Sequence, residues 1–259
     1  MSAPVTLEHD GPLAVLTIAA PPLNLFDRAL IDALGAQIDA LAADPPRGLL
    51  IRAEGRAVSG GVDVNLFDGL TVEEGARLWT DLLAMIHTLE ELPLPTVFAA
   101  HALCLTAAFE LSLGCDLLLA SEKARFGLVE TVVGLTPAMG GTQRLAERAG
   151  PARAREFVFS GGFYDAATLE SWGVINRVWP ADGFDAKARK YAQRLADGPT
   201  LAHRATKRIV RAQVDHGVRA ADAIVPEEAG ALFGTTDLQR AVAAFLEQGP
   251  RHDTEYEGK

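Results

Sequence analysis

Over the first 180 residues, short continuous apolar runs alternate with longer stripes at helical spacing. Residues 5–9 and 13–18 predict two paired strands around the turn signal Asp10-Gly11-Pro12. Asp27 is placed to cap a helix running to about Ala43, with Leu30, Ile31, Leu34, Ile38 and Leu41 on one face. Residues 48–53 predict a buried strand, 73–90 a helix, and 96–100 and 116–120 two further strands. Beyond about Pro180 only the helical rhythm remains, over 184–196, 200–216, 219–233 and 236–246, with Gly198-Pro199 punctuating the first two. The expectation is an α/β chain whose repeated strand-strand-helix core precedes a helical C-terminal layer.

Two carboxylates interrupt this pattern. Residues 101–116 are largely apolar around Glu110, and Glu130 follows twenty residues later within 126–134. Desolvating an unpaired charge is costly, and burial raises a carboxyl pKa toward neutrality, where the group exchanges protons usefully. If Glu110 and Glu130 converge, they form a proton-transfer site. The plainer readings are a Glu110 satisfied by an arginine or by backbone donors, and a Glu130 that caps a turn or sits on a solvated loop. A capping box does not explain Glu110: Thr106 is the predicted cap, and the box would need its acid at Phe109. A helix starting after Thr106 would offer free N–H groups and a positive dipole end to a developing oxyanion. A second helix start is predicted over 140–145 with Thr142 as its cap. The glycine-rich loop 59–63 carries neither phosphate-loop signature, so it is a plain turn or a place where backbone N–H groups approach a ligand.

Composition narrows the class. The formal net charge of −10 over 259 residues argues against nucleic-acid binding by bulk electrostatics. No run approaches eighteen apolar residues, so no membrane span is expected, and the first twenty residues lack the layout of a secretory signal. Cys104 and Cys115 fit neither a metal-ligand nor a redox spacing and are expected to be buried and reduced, making the cytoplasm the default compartment. The six histidines form no HExxH motif and no close cluster, so no metal site is expected.

Residues 58–63, 99–116, 126–130 and 137–145 together resemble the crotonase (enoyl-CoA hydratase/isomerase) superfamily in order and spacing. Residues 159–162, 166–178, 198–207 and 233–245 resemble its later blocks, so the likeness covers nearly the whole chain. The resemblance implies a crotonase-like ββα spiral core over residues 1–195. It implies a C-terminal helical region over 196–259 that serves trimerisation and covers the active site, in a homotrimer or dimer of trimers. By position, the backbone N–H groups of Val62 and Ala107 would form an oxyanion hole for an acyl-CoA thioester, with Gly61 and Gly134 also beside the substrate. Glu110 would mainly activate water and Glu130 deliver a proton to Cα, hydrating a trans-2-enoyl-CoA to a 3-hydroxyacyl-CoA. No cofactor is expected, since coenzyme A is part of the substrate and its thioester is the electron sink.

The chain departs from the family in two places. Thr106-Ala107-Ala108 stands where the family has three glycines, and the tail 250–259 is more acidic than the family's. Three other readings compete: a double-bond isomerase of the same fold, a non-catalytic acyl-CoA binder, and a serine hydrolase built on Ser59, Asp116 and His203.

Overall fold

A computed structural model describes residues 3–250 and 254–259. β1 (Val5–Asp10) and β2 (Leu13–Ile18) form the predicted antiparallel hairpin, with Gly11 at φ +58° in its turn. α1 (Arg28–Ala43) starts where Asp27 accepts a hydrogen bond from the Leu30 N–H, and it buries the five predicted residues. β3 (Gly48–Ala53), α2 (Val72–Glu91) and β4 (Thr96–Ala100) follow. Next come β5 (Leu103–Leu105), α3 (Ala107–Leu113), β6 (Leu117–Ser121) and β7 (Arg125–Gly127). The chain continues through α4 (Gly141–Ala149), α5 (Pro151–Ser160), β8 (Tyr164–Asp165), α6 (Ala166–Ser171) and β9 (Arg177–Trp179). Four helices complete it: α7 (Phe184–Ala196), α8 (Thr200–His216), α9 (Val218–Ala231) and α10 (Thr236–Gln248).

The main sheet runs β1-β2-β3-β4-β6-β9 and is parallel from β2 onward. A parallel sheet is covered on both faces, which is why β2, β3 and β4 are continuous apolar runs rather than alternating ones. One face carries Ala14, Leu16, Ile18, Leu49, Ile51 and Phe98 into the large core beneath α1 and α2. The other carries Leu13, Val15, Leu50, Val97, Ala99 and Leu119 against Phe184, Ala188, Ala192 and Ala196 of α7. That four-residue alanine spacing gives α7 a smooth stripe, and Gly48 lets it approach: a Cβ there would lie 2.8 Å from the Ala196 Cβ. The smaller sheet runs β5-β7-β8, with β5 leading through Thr106 into α3 and β7 leading toward Glu130.

No strand lies beyond β9 among the described residues, as expected. α8, α9 and α10 bury few residues (Thr200, Ala205, Ala221 and Asp237) and leave Val210, Val218 and Leu246 exposed. Within the tail, Arg251, His252 and Asp253 fall outside the described residues.

Two predicted caps are corrected. Thr106 does precede α3, but it sits at φ +44°, ψ −119° and its side chain makes no capping bond. α4 is capped by Gly140 at φ +103°; Thr142 lies inside the helix, and its hydroxyl donates to the Pro137 carbonyl. Both starts follow tight bends that turn the backbone out of the extended conformation a Ser/Thr cap needs.

Candidate active site

Loop 57–63 is stapled from below. The Asn24 side-chain amide donates to the carbonyls of Glu54, Ala57 and Val58, and the buried Ser59 hydroxyl donates to the Asn24 carbonyl at 2.7 Å. The Gly60 N–H donates to the Leu23 carbonyl, and the Phe26 N–H to the Gly61 carbonyl. The Asp63 N–H then returns to the Phe26 carbonyl, so the Val62 N–H between them turns away from this ladder and donates to no acceptor among the described residues. Ala107, the first residue of α3, likewise has an N–H without an acceptor among the described residues, as the open start of a helix dictates. Val62 and Ala107 line one cavity of about 250 Å³.

Glu110 and Glu130 line the same cavity. Glu110 is 3% exposed, one turn into α3, and its Oε1 accepts from the N–H groups of Met139 and Gly141, both at 2.9 Å. The two donors come from the chain entering α4, so the plainer reading of backbone satisfaction holds for one oxygen and leaves Oε2 without a protein donor. Burial pushes the Glu110 carboxyl up to about 8, reinforced by the Glu130 charge and opposed by the two N–H bonds and the Arg144 cation. Glu130 opens a 3₁₀ turn, Glu130–Val133, and neither of its carboxylate oxygens has a protein partner. Burial raises it to about 7. Both carboxyls are therefore raised toward neutral pH, and the Glu130 charge opposes ionisation of Glu110.

Most of the remaining wall is apolar, including Leu66, Phe67, Leu78, Trp79 and Leu82, with Thr106 and Thr136 as its hydroxyl-bearing residues. Gly61 lines the cavity; Gly134 does not. Gly134 ends the 3₁₀ turn at φ +75°, its N–H bonded to the carbonyls of Glu130 and Thr131. Its contribution is to shape the wall that carries Glu130.

Sequence reasoning missed the grip on Glu110. Behind α4, Arg144 makes a paired contact with Glu90, Nε to Oε1 at 2.7 Å and Nη2 to Oε2 at 2.5 Å, and Nη1 donates to the Gly140 carbonyl. The pair thus fixes the bend that presents the Gly141 N–H to Glu110. The adjacent glycines 140 and 141 before a helix were the available signal.

The residues of the serine-hydrolase reading do not meet. Ser59 is fully buried as the loop staple, while Asp116 and His203 line a separate cavity beneath α8, where Asp116 pairs with Lys207. Cys104 and Cys115 are free and buried, with burial raising both thiols. No helix is long and apolar enough to cross a membrane among the described residues.

Residues 8–257 match the sequence profile of the enoyl-CoA hydratase/isomerase family. A short-chain-enoyl-CoA hydratase of Clostridium acetobutylicum is 27% identical over 94% of this chain and 95% of its own. A crotonyl-CoA hydratase of Syntrophomonas wolfei is 26% identical over the same shares. The crystal structure of an enoyl-CoA hydratase subunit I from Geobacillus kaustophilus superposes with a TM-score of 0.90 at 29% identity, covering 99% of this chain and 98% of that one. With its profile match spanning almost the full length and its spiral core shared with solved relatives, the chain is an enzyme of the enoyl-CoA hydratase/isomerase family, built on the crotonase fold.

Proposed function

We propose that this enzyme hydrates trans-2-enoyl-CoA thioesters to 3-hydroxyacyl-CoA. The observation that carries the reading is the pairing, in one apolar cavity, of two carboxyls raised toward neutrality with two backbone N–H groups lacking protein acceptors. The N–H groups of Val62 and Ala107 hydrogen-bond the thioester oxygen, drawing electron density from the conjugated double bond. Each such donor is worth about 3–4 kcal/mol of barrier. The pair reacts in the form with its proton on Glu130: Glu110, held through Oε1, then uses Oε2 to accept a proton from water as the oxygen adds at Cβ. Glu130 delivers a proton to Cα of the resulting enolate. The thioester itself is the electron sink, so these steps call on no metal or redox group. The apolar walls of the same cavity would receive the acyl chain. The exposed valines and leucine of α8 to α10 support the expected homotrimeric assembly, or a dimer of trimers, through the C-terminal region.

The test is hydration followed as loss of enoyl-thioester absorbance. Glu110→Gln and Glu130→Gln are each expected to abolish it in folded protein. Full activity in either variant overturns the assignment. Retained 3-enoyl to 2-enoyl conversion in Glu110→Gln would favour an isomerase, and thioester binding without turnover across several chain lengths a non-catalytic binder.

A further inference from the structure

Thr106 carries two separate costs that a glycine would avoid. It is a β-branched residue at φ +44°, a conformation rare for such side chains. Its backbone is held there from both sides: its N–H donates to the Gly127 carbonyl of β7, and its carbonyl accepts from the Glu110 N–H. Its hydroxyl is also buried with no hydrogen-bond partner. Other buried hydroxyls differ: Ser59, Thr96 and Ser112 each bond a protein group.

The place of this hydroxyl is informative. Thr106 lines the cavity of the two glutamates and immediately precedes Ala107. Its Oγ1 packs on Gly61, 2.8 Å from where a Cβ on that glycine would sit, and Gly61 immediately precedes Val62. Gly61 cannot partner it, because the Gly61 N–H donates to Ser59 Oγ and the Gly61 carbonyl accepts from the Phe26 N–H. The hydroxyl therefore sits at the junction of the two segments that expose the Val62 and Ala107 N–H groups. A hydroxyl hydrogen rotates to meet an acceptor, and orphaned polar groups on strained backbone are a mark of function.

We propose that the Thr106 hydroxyl is a third hydrogen-bond donor to the thioester oxygen, beside the N–H groups of Val62 and Ala107. The inference rests on the hydration reading above for its ligand. It gives this chain a side-chain donor in a hole otherwise made of backbone.

Thr106→Val keeps the β-branch and the strained backbone while removing the hydroxyl, Thr106→Ala is a second hydroxyl-free variant, and Thr106→Ser keeps the hydroxyl. The probe is cinnamoyl-CoA, whose absorbance moves to longer wavelength as its carbonyl is polarised, recorded on binding before turnover. In the hydroxyl-free variants kcat for hydration is expected to fall on the order of 10- to 100-fold, with a smaller change in KM. The red shift of the bound probe shrinks with it, and Thr106→Ser retains both. A wild-type rate and red shift in either folded hydroxyl-free variant overturns the proposal, as does a Thr106→Ser as impaired as Thr106→Val, which would make the role one of packing. If the wild-type chain does not hydrate enoyl thioesters at all, the red shift still decides the role of Thr106, so the two failures are distinguishable.

Discussion

Gly141 and Glu110 are packed so closely that a Cβ on Gly141 would lie 2.6 Å from Glu110 Cγ and 3.0 Å from Oε1. The same glycine donates its N–H to that oxygen. A side chain at 141 cannot be added without moving the carboxylate off its two donors. Gly141→Ala is expected to cost about 1–3 kcal/mol of stability, in line with overpacking elsewhere, and to reduce hydration far more than the loss of stability explains. Chemical denaturation and steady-state hydration of the same preparation check both. A variant of wild-type activity would mean that Glu110 does not need this grip.

The two glutamates make stability depend on pH in an unusual direction for carboxylates. Unfolded, both ionise near 4.5; folded, they ionise at about 8 and about 7. The folded state therefore holds the extra protons between these limits. Their contribution is full below about 4.5 and is lost as pH rises through 7 and 8. Urea unfolding at pH 5.5 and 8.5 is expected to show a decline in the wild type that is flatter in a Glu110→Gln/Glu130→Gln double variant. Parallel slopes would remove the basis for the raised values.

Arg144 acts on Glu110 through space as well as through Gly140. Its cation lowers the Glu110 carboxyl, so Arg144→Met should move the acidic limb of the hydration pH profile, which the base Glu110 sets, to higher pH. It also leaves Glu90 short of its main partner in a half-buried setting. Breaking such a pair costs about 3–5 kcal/mol when the surviving charge stays desolvated. A melting measurement and a pH–rate profile separate the two effects, and an unmoved profile would confine Arg144 to stability.

Asn24 offers a test of the loop that carries Val62. Its side-chain amide serves three carbonyls, and its Oδ1 accepts from the Ala20 N–H. Asn24→Ala strands these buried groups at about 1–3 kcal/mol for each left unsatisfied. Asn24→Asp keeps the acceptor and loses the donors. Both variants should weaken hydration through a displaced Val62 N–H, with binding of the thioester less affected than kcat. Hydrogen exchange of loop 57–63 reports the loosening directly, and unchanged protection in Asn24→Ala would refute the stapling role.

The long apolar runs of β2, β3 and β4 and the stripe of α1 were legible because each is long enough for its period to show. The four C-terminal helices also stand within about two residues of their expected bounds. β5, β7 and β8 hold three, three and two residues, too few to display alternation, so the small sheet was invisible. Glu110 stood out as a charge in an apolar run. Its donors did not, since Met139 and Gly141 lie 29 and 31 residues along the chain and act through backbone atoms that carry no side-chain signature. Thr106 misled for a related reason: its residue type suits a cap, while the strand-to-helix bend forces it into a conformation where capping geometry is lost.

The two carboxylates sit on supports of unequal permanence. α3 is buried at every position from Ala107 to Leu113, whereas the 3₁₀ turn bearing Glu130 contains no buried residue and ends at a left-handed glycine. Substitutions across 130–133 therefore disturb little of the core, while those around Glu110 disturb much of it. Exchanging the second acid would therefore cost the reaction while sparing the scaffold. The first acid and the N–H groups beside it would stay in place through such a change, so the chemistry at 130 and the stability of the fold can be altered separately.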